Sequence, residues 1–202
     1  MMMSKSTISE FLQDLSTKQP TPGGGAVAGL VASIASALGN MVVAYSKGKK
    51  SLDEHNKLHD DCAQFFDAAM NEAIFLGDAD AEAYEKVNVL WKLSKDDPKR
   101  ITQWDDALLD AAQVPLKTMD LCKRILLSLQ ALGGKTNPLL DSDLAIAAIL
   151  TNSAARSADW NVRINAMQVE SQDAKQSLLS ASKTLLDECN KLEQAIEHSC
   201  SV

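Results

Sequence analysis

From Pro22 to Ser46 the chain contains no Asp, Glu, Lys or Arg: PGGGAVAGLVASIASALGNMVVAYS. A helix that is apolar all round belongs in a protein core, at a subunit interface or in a bilayer. Gly, Ala and Ser fill the first two thirds of the segment, whereas Leu, Ile, Phe and Val drive insertion into membranes. No second segment of this kind exists. The stretch is therefore expected to be a buried helix of a soluble protein, with no membrane partner. Gly25, Ala28, Gly29, Ala32, Ser36 and Gly39 recur near one face. Small residues at that spacing let two helix backbones approach closely.

The rest of the chain reads as helical. Proline is rare and apolar residues recur at three/four spacing. The expected order is a short helix in STISEFLQDLS, the uncharged helix from Pro22 to Ser46, and a long helix from Ser51 or Leu52 to about Leu93 that breaks or bends near Gly77. The segment SKDDPKR is a loop. A helix from Ile101 to Leu132 follows, and Pro115 is expected to bend or interrupt it. LGGKTNPLLDSD is a second loop, with Asp141 or Ser142 as a cap for the next helix. A last helix runs through DAKQSLLSASKTLLDECNKLEQAIEH. No strand alternation is convincing. The class is all-α, with long antiparallel helices in a bundle around a buried Gly/Ala-rich helix. With 202 residues, 46% of them hydrophobic, and no linker, one domain spans 1–202.

The net charge of −7 comes without a basic stripe, so nucleic acid is not an expected partner. Cys62, Cys122, Cys189 and Cys200 fit no zinc or redox spacing. The first residues lack the apolar core of a signal peptide. These features fit reduced thiols in a cytoplasmic protein, with Cys200 in a tail. His55 and His59 are four apart but sit among charges, so no metal site is expected. The scarcity of His elsewhere argues against a Ser/His/Asp triad.

Three consecutive glycines are the costly part of the uncharged helix, at roughly 1 kcal/mol each relative to Ala. With Thr21 as N-cap and Pro22 at the first position, Gly23, Gly24 and Gly25 occupy the first turn. Backbone N–H groups there lack intrahelical partners, and bare glycines let an anionic or carbonyl-bearing ligand reach them. Close helix packing explains the glycines equally well. No Gly-Lys-Ser/Thr follows, so this is not a Walker loop. Asp78, Asp80 and Glu82 lie in LGDADAEAY, and Asp80 shares a face with Tyr84 and Val87. Asp80 is thus either a candidate acid or base or part of a solvated face. Asn161 and Asn165 share a face with Ser157, for a ligand or for a neighbouring helix. Arg163 has Asp159 four residues before it as an ion-pair partner.

Taken in order, PTPGGGAVAGL, GKK (48–50), DAEAY (80–84), VPL (114–116), NP (137–138), SD (142–143) and NVRIN (161–165) resemble the cyclodeaminase/cyclohydrolase family. That family includes the C-terminal domain of formiminotransferase-cyclodeaminase and stand-alone methenyltetrahydrofolate cyclohydrolases. The resemblance implies an all-helical homodimer with a folate site near the glycine turn and the subunit interface. It implies no metal or organic cofactor beyond the tetrahydrofolate derivative that is the substrate. It makes Asp80 and Asp143 the carboxylates expected to move protons. Gly23, Gly24, Gly25, Ser142, Asn161, Arg163 and Asn165 become the expected substrate-binding residues. Lys49 and Lys50 are either attractors of the folate tail or a solvated helix end. The implied reaction is cyclodeamination of formiminotetrahydrofolate. Methenyltetrahydrofolate cyclohydrolysis in the same site and a non-catalytic folate-binding dimer are the alternatives. The chain departs from the family's common pattern at Ala26, Leu93-Ser94, Leu139 to Asp141 and Asp159-Trp160.

Overall fold

The computed structural model describes residues 3–200. Six α-helices account for most of them: α1 (Ile8–Leu15), α2 (Gly24–Ala44), α3 (Asn56–Trp91), α4 (Pro98–Leu132), α5 (Asp141–Ala166) and α6 (Gln172–Ser199). Short 3₁₀ turns at Met3–Lys5, Lys50–His55 and Pro138–Leu140 lead into α1, α3 and α5. No strand occurs among the described residues.

The uncharged segment is α2, and it lies between α3 and α5. Its small residues are what permit this. Gly25, Ala28, Gly29, Ala32, Ser36 and Gly39 are all buried. A Cβ added to Gly29 would sit 2.6 Å from the Ala73 carbonyl oxygen and 3.0 Å from the Gly77 backbone of α3. A Cβ on Gly39 would lie 3.0 Å from side-chain atoms of Phe66 and Leu129. The helix is long and apolar enough to cross a membrane, but half of its most apolar window is buried inside the bundle.

Contacts fix the directions. Gly39 meets Phe66 and Gly25 meets Asp80, so α2 and α3 run antiparallel. Arg124 of α4 pairs with Glu72 of α3 at 2.5 Å, while His59 near the start of α3 bonds Lys135 just past α4. On α5 and α6, Ser182 donates to Asp159 at 2.6 Å and Asn152 donates to Asn190 at 3.0 Å. Phe66, Leu121, Ile125, Leu126, Leu129 and Leu144 form the fully covered heart of the core.

Several local expectations are corrected. Gly23, with extended backbone, is the N-cap of α2; Thr21 and Pro22 lie before it, joined by a cis peptide bond. α3 passes Gly77 without a break, and that glycine lies against the Ala26 backbone of α2. α4 continues through Pro115. Asp141 and Ser142 fall inside the first turn of α5, and Leu140 holds the cap position. Cys200 is buried like the other three cysteines. His59 is buried with its Nε2 2.7 Å from the Lys135 carbonyl oxygen.

The contact at Gly29 gives a test of the fold. Alanine is the better helix former, by roughly 1 kcal/mol. Yet its methyl must displace backbone of α3, and overpacking typically costs about 1–3 kcal/mol. Gly29→Ala is expected to lower the urea midpoint without changing the slope of the transition; a raised midpoint would show that α3 yields at no cost.

Candidate functional site

The start of α2 opens into a groove of about 530 Å³. One wall is α3, which presents Asp80, Tyr84, Val87, Asn88 and Trp91. These positions repeat at three/four spacing and so line one helix face. The other wall is the end of α5, with Asn161, Ile164, Asn165 and then Gln168. Ala111 of α4 forms part of the floor, and Pro20, Thr21 and Gly23 to Gly25 close one end.

Gly25 and Asp80 define that closed end. A Cβ on Gly25 would overlap the Asp80 carboxyl group. Asp80 thus rests directly on the first turn of α2, where no side chain caps the helix. Burial pushes its pKa up from 3.8 to about 6. The free N–H groups of that turn act in the opposite sense, toward the ionised form. A carboxyl group poised near neutrality can hold or release a proton. Asn161 stands over Gly24, its Oδ1 3.5 Å from where a Cβ would be. Its Nδ2 is buried without a hydrogen-bond partner in the protein. A free donor, a row of backbone N–H groups and a titratable acid therefore meet at one end of the groove.

Asn165 has a different task. Pro115 has no N–H, so the Ala111 carbonyl four residues earlier loses its intrahelical donor. Asn165 Nδ2 supplies the missing bond, at 2.9 Å. This is how α4 tolerates a proline in mid-helix, and it ties α5 to the groove floor.

Of the residues singled out from the sequence, Gly23, Gly24, Gly25, Asp80, Asn161 and Asn165 come together. Arg163 does not line the groove. It is half exposed, 4.5 Å over the Trp160 ring, with Nη1 3.7 Å from Asp159. Ser142 and Asp143 are in the first turn of α5, while Asn161 is near its end. The 18 residues from Asp143 to Asn161 span about 27 Å of helix. Within one chain, then, Asp80 and Asp143 do not share a site. Lys49 and Lys50 follow the C-terminal end of α2, also remote from the groove. Asp78 accepts from the Met3 backbone N–H at 2.5 Å, and Glu82 is exposed. Among the described residues no three His, Cys, Asp or Glu side chains cluster as a metal site.

Asn88, Trp91, Gln168 and Ala111 were missed in the sequence. The first two were legible in principle, since 80, 84, 88 and 91 fall on one helical face. Of the departures, Ala26 is buried with its backbone against Gly77 and stands outside the groove lining. Asp159 is buried on Ser182.

An all-helical bundle that presents a poised carboxyl group to a ligand-sized groove is the framework of a small-molecule site. The sequence profile described as formiminotransferase-cyclodeaminase matches residues 7–184, and the chain belongs to that family. It is 28% identical over 185 residues to the formimidoyltransferase-cyclodeaminase of Gallus gallus, covering 90% of this chain and 34% of that protein. The chain thus spans about a third of the length of that relative. It is also 28% identical over 199 residues to the methenyltetrahydrofolate cyclohydrolase of Methylorubrum extorquens, covering 96% of each. The crystal structure of formiminotetrahydrofolate cyclodeaminase from Thermotoga maritima matches with a TM-score of 0.91 at 25% identity, over 98% of this chain and 96% of that one.

Two outcomes follow from the site's local physics. Above pH 4 an unfolded Asp80 ionises, while the folded one stays protonated up to about pH 6. The folded state binds more protons in that window, so Asp80 subtracts stability as pH rises through it. Asp80→Asn is expected to be about 1–2 kcal/mol more stable than the parent at pH 7.5, the discount reflecting partial solvent screening. That advantage should vanish near pH 3.5; urea titrations at the two pH values check it. For the floor, Asn165→Ala should cost about 1–3 kcal/mol by orphaning the Ala111 carbonyl. Pro115→Ala, which restores an intrahelical donor, should recover much of that loss in the double variant; equal loss in both backgrounds would mean the two residues act independently.

Proposed function

We propose that this chain is a folate-dependent one-carbon enzyme, acting as a formiminotetrahydrofolate cyclodeaminase at the α2–α3–α5 groove. The observation that carries this reading is Asp80, a carboxyl group held near neutral titration against the bare first turn of α2. Family membership and the names of the relatives support the folate class.

In this reading the formimino group on N5 enters as its protonated, amidinium form, and N10 of the folate attacks its carbon. Asp80 takes the N10 proton as the N10–C bond forms. The same proton then goes to the amino group, the C–N bond to it breaks, and ammonia leaves. The product is the cationic 5,10-methenyl compound, which an ionised Asp80 stabilises by charge. Orientation and proton transfer suffice for this chemistry, without a covalent nucleophile or a cofactor. Asn161 Nδ2 and the N–H groups of Gly24 and Gly25 supply donors toward the pterin.

The runner-up is methenyltetrahydrofolate cyclohydrolysis, favoured by the stand-alone relative matched over 96% of both chains. There water attacks the methenyl carbon and Asp80 takes a proton from it; that proton passes to N5 as the carbon–N5 bond opens, and the remaining hydroxyl proton goes to solvent, leaving the 10-formyl compound. The tetrahedral intermediates of the two reactions differ in whether an amino or a hydroxyl group occupies the third position on the shared carbon.

A homodimer is part of the proposal. Beyond the residues that pack inward, α2 exposes Ile34 and its C-cap residue Tyr45 is exposed, α5 exposes Ile146 and Ile149, and α3 exposes Phe75. These uncovered apolar side chains suit a second copy, and a second copy gives Asp143 a route to the groove that its own chain lacks.

One set of assays tests these points. A rise in methenyl absorbance with 5-formiminotetrahydrofolate marks the cyclodeaminase; a fall from supplied methenyltetrahydrofolate, faster than in buffer, marks the cyclohydrolase. Folate binding with neither change leaves a binding protein. Asp80→Asn is expected to lower kcat about a hundredfold. If Asp143 acts across the dimer, mixing inactive Asp80→Asn and Asp143→Asn proteins restores about a quarter of wild-type activity, because half of the exchanged dimers carry one intact site. No restoration after verified exchange would confine Asp143 to another role.

A further inference from the structure

Trp91 ends α3 and lines the groove end opposite the glycine turn. It is 57% exposed, yet it is braced. Its ring lies against that of Trp104, with centroids 5.7 Å apart and planes tilted by 58°. The Arg100 guanidinium sits 4.6 Å from the Trp104 centroid. From Nη1 the same guanidinium donates to the Leu93 carbonyl at 2.8 Å and to the Trp91 carbonyl at 3.3 Å. One cation therefore ties off the last turn of α3 and stacks on the ring beside Trp91. Rotamer and backbone are both restrained, and more than half of the residue still faces the groove and solvent.

The position relative to Asp80 gives this shelf a use. This step rests on the folate reading of the groove. With the reacting N5–N10 bridge at Asp80, the arm that leaves N10 has one open direction along α3. Toward the N-terminus, Gly77 and Ala73 are covered by α2. Toward the C-terminus the face continues as Tyr84, Val87, Asn88 and Trp91. The eleven residues from Asp80 to Trp91 cover about 16 Å. Long side chains on a helix lean toward its N-terminus, so the indole reaches back over the Val87–Asn88 turn. That is where a flat ring attached at N10, followed by its amide, would lie.

We infer that Trp91, braced by Trp104 and Arg100, stacks on the aminobenzoyl-glutamate arm and makes the groove select folates over free pterins. A large, flat, already immobilised ring loses little freedom on binding, and offset stacking of aromatic rings is favourable beyond burial alone.

The test pairs a protein truncation with a ligand truncation. Dissociation constants for tetrahydrofolate and for 6-methyltetrahydropterin, which lacks the arm, are measured on wild type, Trp91→Ala and Trp91→Phe. Trp91→Ala should weaken tetrahydrofolate about tenfold and leave the pterin within twofold, and Trp91→Phe should recover most of the loss. Tryptophan fluorescence gives a second reading: tetrahydrofolate should quench the wild type, and Trp91→Phe should lose most of that quenching. If tetrahydrofolate binds but Trp91→Ala leaves its affinity unchanged, or weakens both ligands equally, the inference is overturned while the folate reading stands. If the wild type does not bind tetrahydrofolate, the folate reading fails and this inference with it.

Discussion

The close approach of α2 to α3 is the contact on which the rest of the structure depends. It is made mostly of absent side chains. Gly29 lies on the Ala73 carbonyl and Gly77, and Gly25 leaves just the space that the Asp80 carboxyl group fills. The position of the acid thus follows from helix packing. A helix with ordinary side chains would stand farther from α3, and Asp80 would then meet water. Its raised pKa is a by-product of the same closeness, since burial is its cause. Packing and chemistry were competing explanations of the glycine run. In the fold they divide it: Gly23 and Gly24 have open space or Asn161 above them and Gly25 serves both, while Gly29, one turn beyond the run, serves packing alone.

Much of the fold was legible because helix periodicity and charge are local. The absence of charge from Pro22 to Ser46 identified the central helix, and its small-residue face identified the side turned inward. Asp80 and the asparagines could be placed because spacing on one helix fixes which residues share a face. Relations between helices were not legible. Pro115 reads as a breaker until Asn165, 50 positions later in the chain, is seen to bond the carbonyl that the proline leaves free. Asp143 and Asp80 look alike in sequence, as acids in apolar helices, yet they lie toward opposite ends of the bundle. Arg163 had a local partner in Asp159 from the start, and that pairing keeps it on the Trp160 ring rather than in the groove.

The polar contacts of α5 have a consequence of their own. Asn152 bonds Asn190 and Glu193, Asp159 accepts from Ser182, and Asn165 holds the Ala111 carbonyl. They recur every six or seven residues along a helix whose other inward positions are mostly alanine. A smooth alanine face defines how near two helices lie, but it opposes sliding only weakly. Directional bonds at discrete positions do the reverse. Together they act like the pins of a key: α5 can seat at one axial setting, because a shift of even one residue would strand several buried polar groups at once. The groove has walls on separate helices, so its shape is only as well defined as that setting. The small residues give the bundle its tightness; these few bonds give it its alignment.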